Sequence, residues 1–258
     1  VAVLENLYLN GVEDFSIACA DTLENPAFID GSQLRKFDIV LANPPYSIKE
    51  WNREKFMNDK WGRNFLGTPP QGRADYAFIQ HILASMNDED GRCAILLPHG
   101  VLFRNEEKDV RTNLVKSDLL EAVIGLGPNL FYNAPMEACI LFCNKNKSQK
   151  KKNKVIFINA VKEVTRKNAE SYLEKNHIEK ILQAFHSSED IEQFKQSVSI
   201  DDIANNDFDL SIQKYVFIKD VEDEEISFSG AISKWKESKE KVHVNYSILI
   251  DLLSNGNI

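Results

Sequence analysis

The sequence predicts an α/β fold, a mixed and mostly parallel sheet covered on both faces, followed by a mostly helical C-terminal extension. Three observations predict it. Short apolar runs recur along the chain: "FDIVLA" (37–42), "CAILLP" (93–98), "EAVIGL" (121–126), "EACILFC" (137–143) and "VIFINA" (155–160). Runs that are apolar throughout mark strands buried on both faces. Helical segments separate the earlier runs, as in a parallel sheet, while the last three follow so closely that some antiparallel pairing is expected. After residue 160 the chain turns charged and helix-prone. The predicted division is therefore residues 1–160 as the sheet domain and 161–258 as the extension.

The elements follow in order. The chain opens "VAVLENLYLNG", where Val3, Leu4, Leu7 and Leu9 give a helical face that stops at a C-cap signal, Asn10-Gly11. It carries no initiator Met and starts inside an element, so an N-terminal portion is expected before Val1. "FSIACAD" (15–21) alternates like a short strand ending at Asp21. Asp75 opens "DYAFIQHILASM", with Phe78, Ile79, Ile82, Leu83 and Met86 at helical spacing. In 105–117 an Asn and an acidic first turn precede Val110 and Leu114 on one face, a second helix. Beyond 160, residues 168–185 read as helix, 199–218 as turns with short extended pieces, and 231–255 as charged helix. No internal repeat is present.

Composition narrows the function. With 43% hydrophobic and 27% charged residues among 258, the chain can bury a sizeable core. No apolar stretch is long enough to span a bilayer and no signal peptide is visible, which predicts a soluble intracellular protein with no membrane partner. Cys19, Cys93, Cys139 and Cys143 lie in or beside apolar runs, the usage of a reducing compartment. Neither they nor the five scattered histidines match a metal pattern, so no metal is expected. The net charge of −8 argues against holding DNA by bulk electrostatics. Only "KNKSQKKKNK" (145–154) offers a local basic run, and it also fits a solvated loop between strands.

The chemistry-bearing stretch is Asn43-Pro44-Pro45-Tyr46, directly after the 37–42 strand. Ligands of open α/β sheets bind where parallel strands end. Methyl transfer to an amino group conjugated with a ring, such as that of adenine, suits this corner. Such a nitrogen is a poor nucleophile and carries two hydrogens. The side-chain oxygen of Asn43 and the carbonyl of Pro44 can accept one each, favouring the pyramidal nitrogen of the transition state. Pro45 stiffens the loop, and Tyr46 can stack on a base that has been flipped out of a duplex. Asn-Pro-Pro is equally a good turn. Asp21 can bind the adenine of a nucleoside cofactor, or simply cap a helix. "GLG" (125–127) lacks the further glycine or lysine of a phosphate loop.

These residues resemble a family. "NPPY" after "FDIVLA" resembles motif IV of the adenine amino-methyltransferases. With "ADTL" (20–23), "ADYAFIQHIL" (74–83), "GRCAILLPHGVLFR" (91–104), "GLGPNLFYNAPMEACILFCNK" (125–145) and "VIFINA", it resembles the modification (M) subunit of type I restriction-modification systems over roughly residues 1–218. The resemblance implies a partial Rossmann-like, S-adenosylmethionine-dependent methyltransferase sheet in residues 1–160. It implies a site-specific, adenine-N6 DNA methyltransferase with S-adenosyl-L-methionine as cofactor. Asn43, Pro44 and Tyr46 would contact the target adenine, Pro45 would shape the loop, and Phe131 would stack on the base's other face. Phe131 also fits a core position. Asp21 would bind the cofactor's adenine. Implied partners are DNA, the specificity (S) and restriction (R) subunits and a second M copy, in a bacterial or archaeal cytoplasm, with residues 161–258 as the docking region.

The sequence departs from that family in two respects. Tyr46 stands where many members have Phe, which keeps the stacking face. The Gly-rich cofactor loop, the ribose-binding acid and the N-terminal helical domain would all lie before Val1, so this polypeptide alone is expected not to methylate DNA. Two alternatives stay open: an NPPY-type methyltransferase acting on RNA adenine or protein glutamine, or a non-catalytic assembly module.

Overall fold

The computed structural model describes residues 6, 7, 9–130, 136–167 and 170–217, and within the tail residues 232, 233, 235, 236 and 238–240. A helical turn leads into Gly11 at φ 76°, where the Val12 N–H donates to the Leu7 carbonyl at 3.0 Å, the expected C-cap. A hairpin of β1 (Ile29–Asp30) and β2 (Gln33–Leu34) precedes β3 (Ile39–Ala42), the short helix α1 (Arg53–Met57) and α2 (Asp75–Ser85). Then come β4 (Arg92–Pro98), α3 (Lys108–Lys116), β5 (Leu120–Leu126), β6 (Ala138–Asn144) and β7 (Lys154–Ala160). The hairpin β8 (Thr165–Lys167) and β9 (Glu170–Tyr172), α4 (Lys175–His186), β10 (Lys195–Ser199) and α5 (Ile200–Asn205) complete the order.

Six strands form one sheet in the order β10-β7-β5-β6-β4-β3. The β3–β4 and β5–β7 pairs are parallel, and β6 runs antiparallel between β4 and β5. It follows that β3, β4, β5 and β7 point one way, and their carboxyl ends share one edge of the sheet. Alternate residues face two layers. Ile95, Leu97, Leu141 and Phe157 pack against Tyr76, Ile79 and Leu83 of α2 and Leu114 of α3. On the other face Ile124 and Ile158 pack under Ile181 and Ala184 of α4. Each large apolar side chain so buried contributes about 1.5–3 kcal/mol, which explains why these runs are apolar throughout.

Four sequence expectations change. Residues 15–21 form no strand: Ile17 is 48% exposed and Cys19 is also exposed, because no described strand lies beside them to complete a ladder. Residues 168–185 are not one helix, since β9 pairs with β8 and α4 starts only at Lys175, where the Glu174 N–H donates to His177 Nδ1 at 3.2 Å. Residues 200–205 are helical, with the Ser199 hydroxyl accepting the Asp202 N–H as N-cap. The compact unit runs through Phe217 and a second spans Ile218–Ile258, so the boundary expected at residue 160 lies further on. The reason is β10, which adds antiparallel to β7 and draws the segment after 160 into the sheet.

Half of the six lysines of the basic run at 145–154 are paired, Lys145 to Asp88, Lys147 to Asp118 and Lys151 to Glu121. Among the described residues no helix is long and apolar enough to cross a membrane.

Candidate active site at the end of the edge strand β3

The sheet register carries β3 as far as Ala42 opposite Ile95, and the chain then leaves the ladder because Pro44 and Pro45 have no N–H to donate. Asn43 and Pro45 are exposed, and Pro44 and Tyr46 are half-buried. Neither the Asn43 side chain nor the Pro44 carbonyl has a hydrogen-bond partner among the described residues. Among the described residues both acceptors are thus left free to bind. The Tyr46 phenol is shifted above its ordinary pKa, first by burial and then by Cys139 and Asp75 nearby, so it stays a neutral ring at neutral pH.

Beside this corner lies a trough of about 470 Å³, lined by residues 39–45 along one wall and by Thr22, Pro26, Phe28, Phe78 and His81 opposite. Tyr46 borders it in sequence without lining it. The His81 imidazole is pushed down to about 4 by burial and then by the Arg63 charge, against the pull of Asp59. It is therefore neutral at pH 7. Its Nδ1, 3.3 Å from Arg63 Nη1, is then the accepting nitrogen.

The structure brings some of the expected residues together and leaves others apart. Asn43, Pro44 and Pro45 line the trough. Asp21 does not: it is exposed, and its Oδ1 accepts the N–H groups of Leu23 at 2.9 Å and Glu24 at 3.0 Å, capping its own turn. Its neighbour Thr22 lines the trough instead. Phe131 lies outside the described residues. The "GLG" glycines serve packing, since a Cβ on Gly125 would meet Ile212 at 2.7 Å and one on Gly127 the Val161 carbonyl at 2.6 Å.

Two supports were invisible in the sequence. Arg63, 1% exposed, donates to the Thr22 carbonyl at 2.8 Å and the Leu23 carbonyl at 2.7 Å, and pairs with Asp59. It fastens the Asp21 turn across 40 residues of sequence, beyond the reach of any local pattern. Asp75, read only as a helix start, accepts the Ser47 N–H at 2.8 Å.

A mixed sheet with helices packed on both faces and a trough along its edge strand β3 has the Rossmann-like architecture of the methyltransferases. The N-6 DNA Methylase family model matches residues 3–224, and the chain belongs to that family. It is 34% identical over 251 residues to the type I restriction enzyme MjaVII methylase subunit of Methanocaldococcus jannaschii, covering 92% of this chain and 42% of that one. It is 33% identical over 237 residues to the HindI methylase subunit of Haemophilus influenzae, covering 87% and 51%. The type I restriction-modification methyltransferase subunit of Streptococcus thermophilus superposes with a TM-score of 0.76 at 36% identity, over 83% of this chain and 45% of that one. The chain thus spans about half the length of the curated relatives it matches.

Proposed function

We propose that this chain belongs to the modification subunit of a type I restriction-modification system. That subunit methylates the exocyclic amino group of a flipped adenine in DNA, in a bacterial or archaeal cytoplasm. The observation that carries the reading is the pair of acceptors without a partner among the described residues, the Asn43 amide oxygen and the Pro44 carbonyl, presented at the end of β3 beside the trough.

The trough fits an adenosyl group: Pro26, Phe28 and Phe78 offer apolar faces and Thr22 a hydroxyl. Those residues would hold S-adenosylmethionine, which supplies an electrophilic methyl on sulfur. The chain's own part is to orient the amine. Asn43 and Pro44 accept its two N–H groups and so direct the nitrogen lone pair out of conjugation. Positive charge developing on the amine nitrogen would strengthen both hydrogen bonds, so Asn43 and Pro44 would favour the transition state over the ground state. One amino proton is then released to solvent. Tyr46 supplies a stacking face, and the net charge of −8 leaves most of the DNA grip and the choice of target to specificity and restriction subunits.

The test is Asn43→Ala in the complete polypeptide assembled with its specificity subunit, scored by labelled methyl incorporation into target DNA. Methylation is expected to fall at least about 100-fold, the lower end of the range for removing one transition-state hydrogen-bond partner, while cofactor binding stays within a few-fold. Activity within twofold of wild type would remove the catalytic assignment and favour an assembly module. The 258-residue chain by itself is expected to show no methylation above background.

A further inference from the structure

We infer that Asp75 and Arg104 are positioning residues that set the corner carrying Asn43 and Tyr46, an inference that rests on the proposed function. Ser47, the residue after Tyr46, adopts φ 52°, a left-handed conformation that strains any residue but glycine. Strain of this kind persists only where neighbours hold it. Asp75 Oδ1 accepts the Ser47 N–H at 2.8 Å, and Asp75 Oδ2 accepts from Arg104 Nη1 at 2.9 Å. Arg104 Nη2 stands 3.5 Å from Ser47 Oγ, so carboxylate and guanidinium grip the backbone and side chain of one residue. One residue on, the Ala74 N–H donates to the Ile48 carbonyl at 3.1 Å and adds a second link to the start of α2.

The clasp is built into the fold at both ends. Asp75 is 1% exposed and opens α2, where the helix dipole favours a negative charge. Arg104 follows the 3₁₀ turn His99–Leu102 that leaves β4, and its guanidinium lies against Gly100. A Cβ at Gly100 would stand 2.4 Å from Arg104 Nε and Nη2, so only glycine leaves the slot open. The pair therefore joins the loops leaving two adjacent parallel strands, β3 and β4, on the edge of the sheet that holds the trough.

Glu107, with no exposed surface, is the third member, its Oε2 3.2 Å from Arg104 Nη1. Its carboxyl is pushed up to about 7 by burial and then by the Asp75 charge, against Arg104 and the more distant Arg73. Well below neutral pH it is mostly protonated and leaves the guanidinium charge to Asp75. A buried pair serving the core alone would spend its hydrogen bonds there. Here they end on residue 47, one step from Tyr46.

The experiment compares Asp75→Asn, Arg104→Lys and Asn43→Ala in the complete polypeptide with its specificity subunit. kcat is expressed per cofactor-binding site from a titration, and KM for S-adenosylmethionine and Tm are measured in parallel. Normalised in this way, kcat does not respond to a mere loss of folded protein. Asp75→Asn and Arg104→Lys are expected to lower kcat at least tenfold with KM within twofold. If either folds and keeps wild-type kcat while Asn43→Ala is inactive, the clasp is overturned and the catalytic reading stands. If Asn43→Ala is itself active, the catalytic reading falls, and this inference with it. If neither clasp variant folds, the pair is structural and the inference is likewise overturned.

Discussion

Glu107 lies beneath the clasp with Oε2 on Arg104 and with Oε1 left without a hydrogen-bond partner. Burial raises its pKa from 4.5 to about 7, so the native state binds a proton that the unfolded chain has already released between those values. Its contribution to stability is complete below pH 4.5 and is lost as pH rises through 7. Glu107→Gln keeps the shape and removes the titration. In the 258-residue chain, wild type is expected to lose roughly 5–10 °C of Tm relative to this variant between pH 5 and 8, because a shift of this size is worth about 2–3 kcal/mol over that range. Parallel Tm curves would show that Glu107 is ionised throughout. At this scale the sequence was partly legible. Asn43, Pro44 and Pro45 could be read because a diproline after an apolar run is informative by itself. Glu107 and Arg104 could not, because an acidic first turn of a helix reads as ordinary capping whether it faces water or a buried guanidinium.

The segment around Arg63 shows the same limit for elements. It has no regular structure, yet the side chains of Arg63 and Asp59 are 1% and 2% exposed, and the guanidinium ends on the carbonyls of Thr22 and Leu23. Removing one partner of a buried pair strands the other, which costs about 3–5 kcal/mol, whereas replacing both costs less. Arg63→Ala is therefore expected to lose about 3–5 kcal/mol in urea unfolding, and Asp59→Asn with Arg63→Met markedly less. Equal losses would mean the carbonyl contacts matter more than the ion pair. Strands β4 to β7 were legible because burial on both faces imposes an unbroken apolar run. The run at 37–42 reads the same way, yet β3 leaves Ile39 and Leu41 exposed because it is an edge strand, so the expected cover on both of its faces is not found among the described residues. β10, "KQSVS", was not, because a terminal antiparallel strand needs few apolar residues. Its Lys195 is 2% exposed and donates to the carbonyls of Ser187 at 3.0 Å and Glu189 at 2.8 Å, a use of lysine that no periodicity reveals. Residues 15–21 alternate like a strand and form none, since alternation specifies a face and does not supply a neighbour.

At the scale of the molecule, the sheet ends on two unlike edge strands. β10 is short and polar and pairs with β7, whereas β3 is apolar and pairs only with β4 among the described residues. On β3, Ile39 is 60% and Leu41 77% exposed, so an apolar strand presents both a free edge and a bare face. Exposed edges of this kind template pairing with another chain, and only the prolines at 44 and 45 blunt it. The net charge of −8 opposes association, but at physiological salt charges beyond about 8 Å are screened, while edge pairing acts at contact. Contact should win. The 258-residue chain is therefore expected to self-associate at micromolar to millimolar concentration, with a mean mass in sedimentation that rises with concentration. Leu41→Lys should hold it monomeric with Tm nearly unchanged, because the residue is already exposed and lysine is a common guard of sheet edges. A wild-type chain that stays monomeric over the whole range would mean that the two prolines and the charge are sufficient guards, and that the bare strand needs no partner to be tolerated in water.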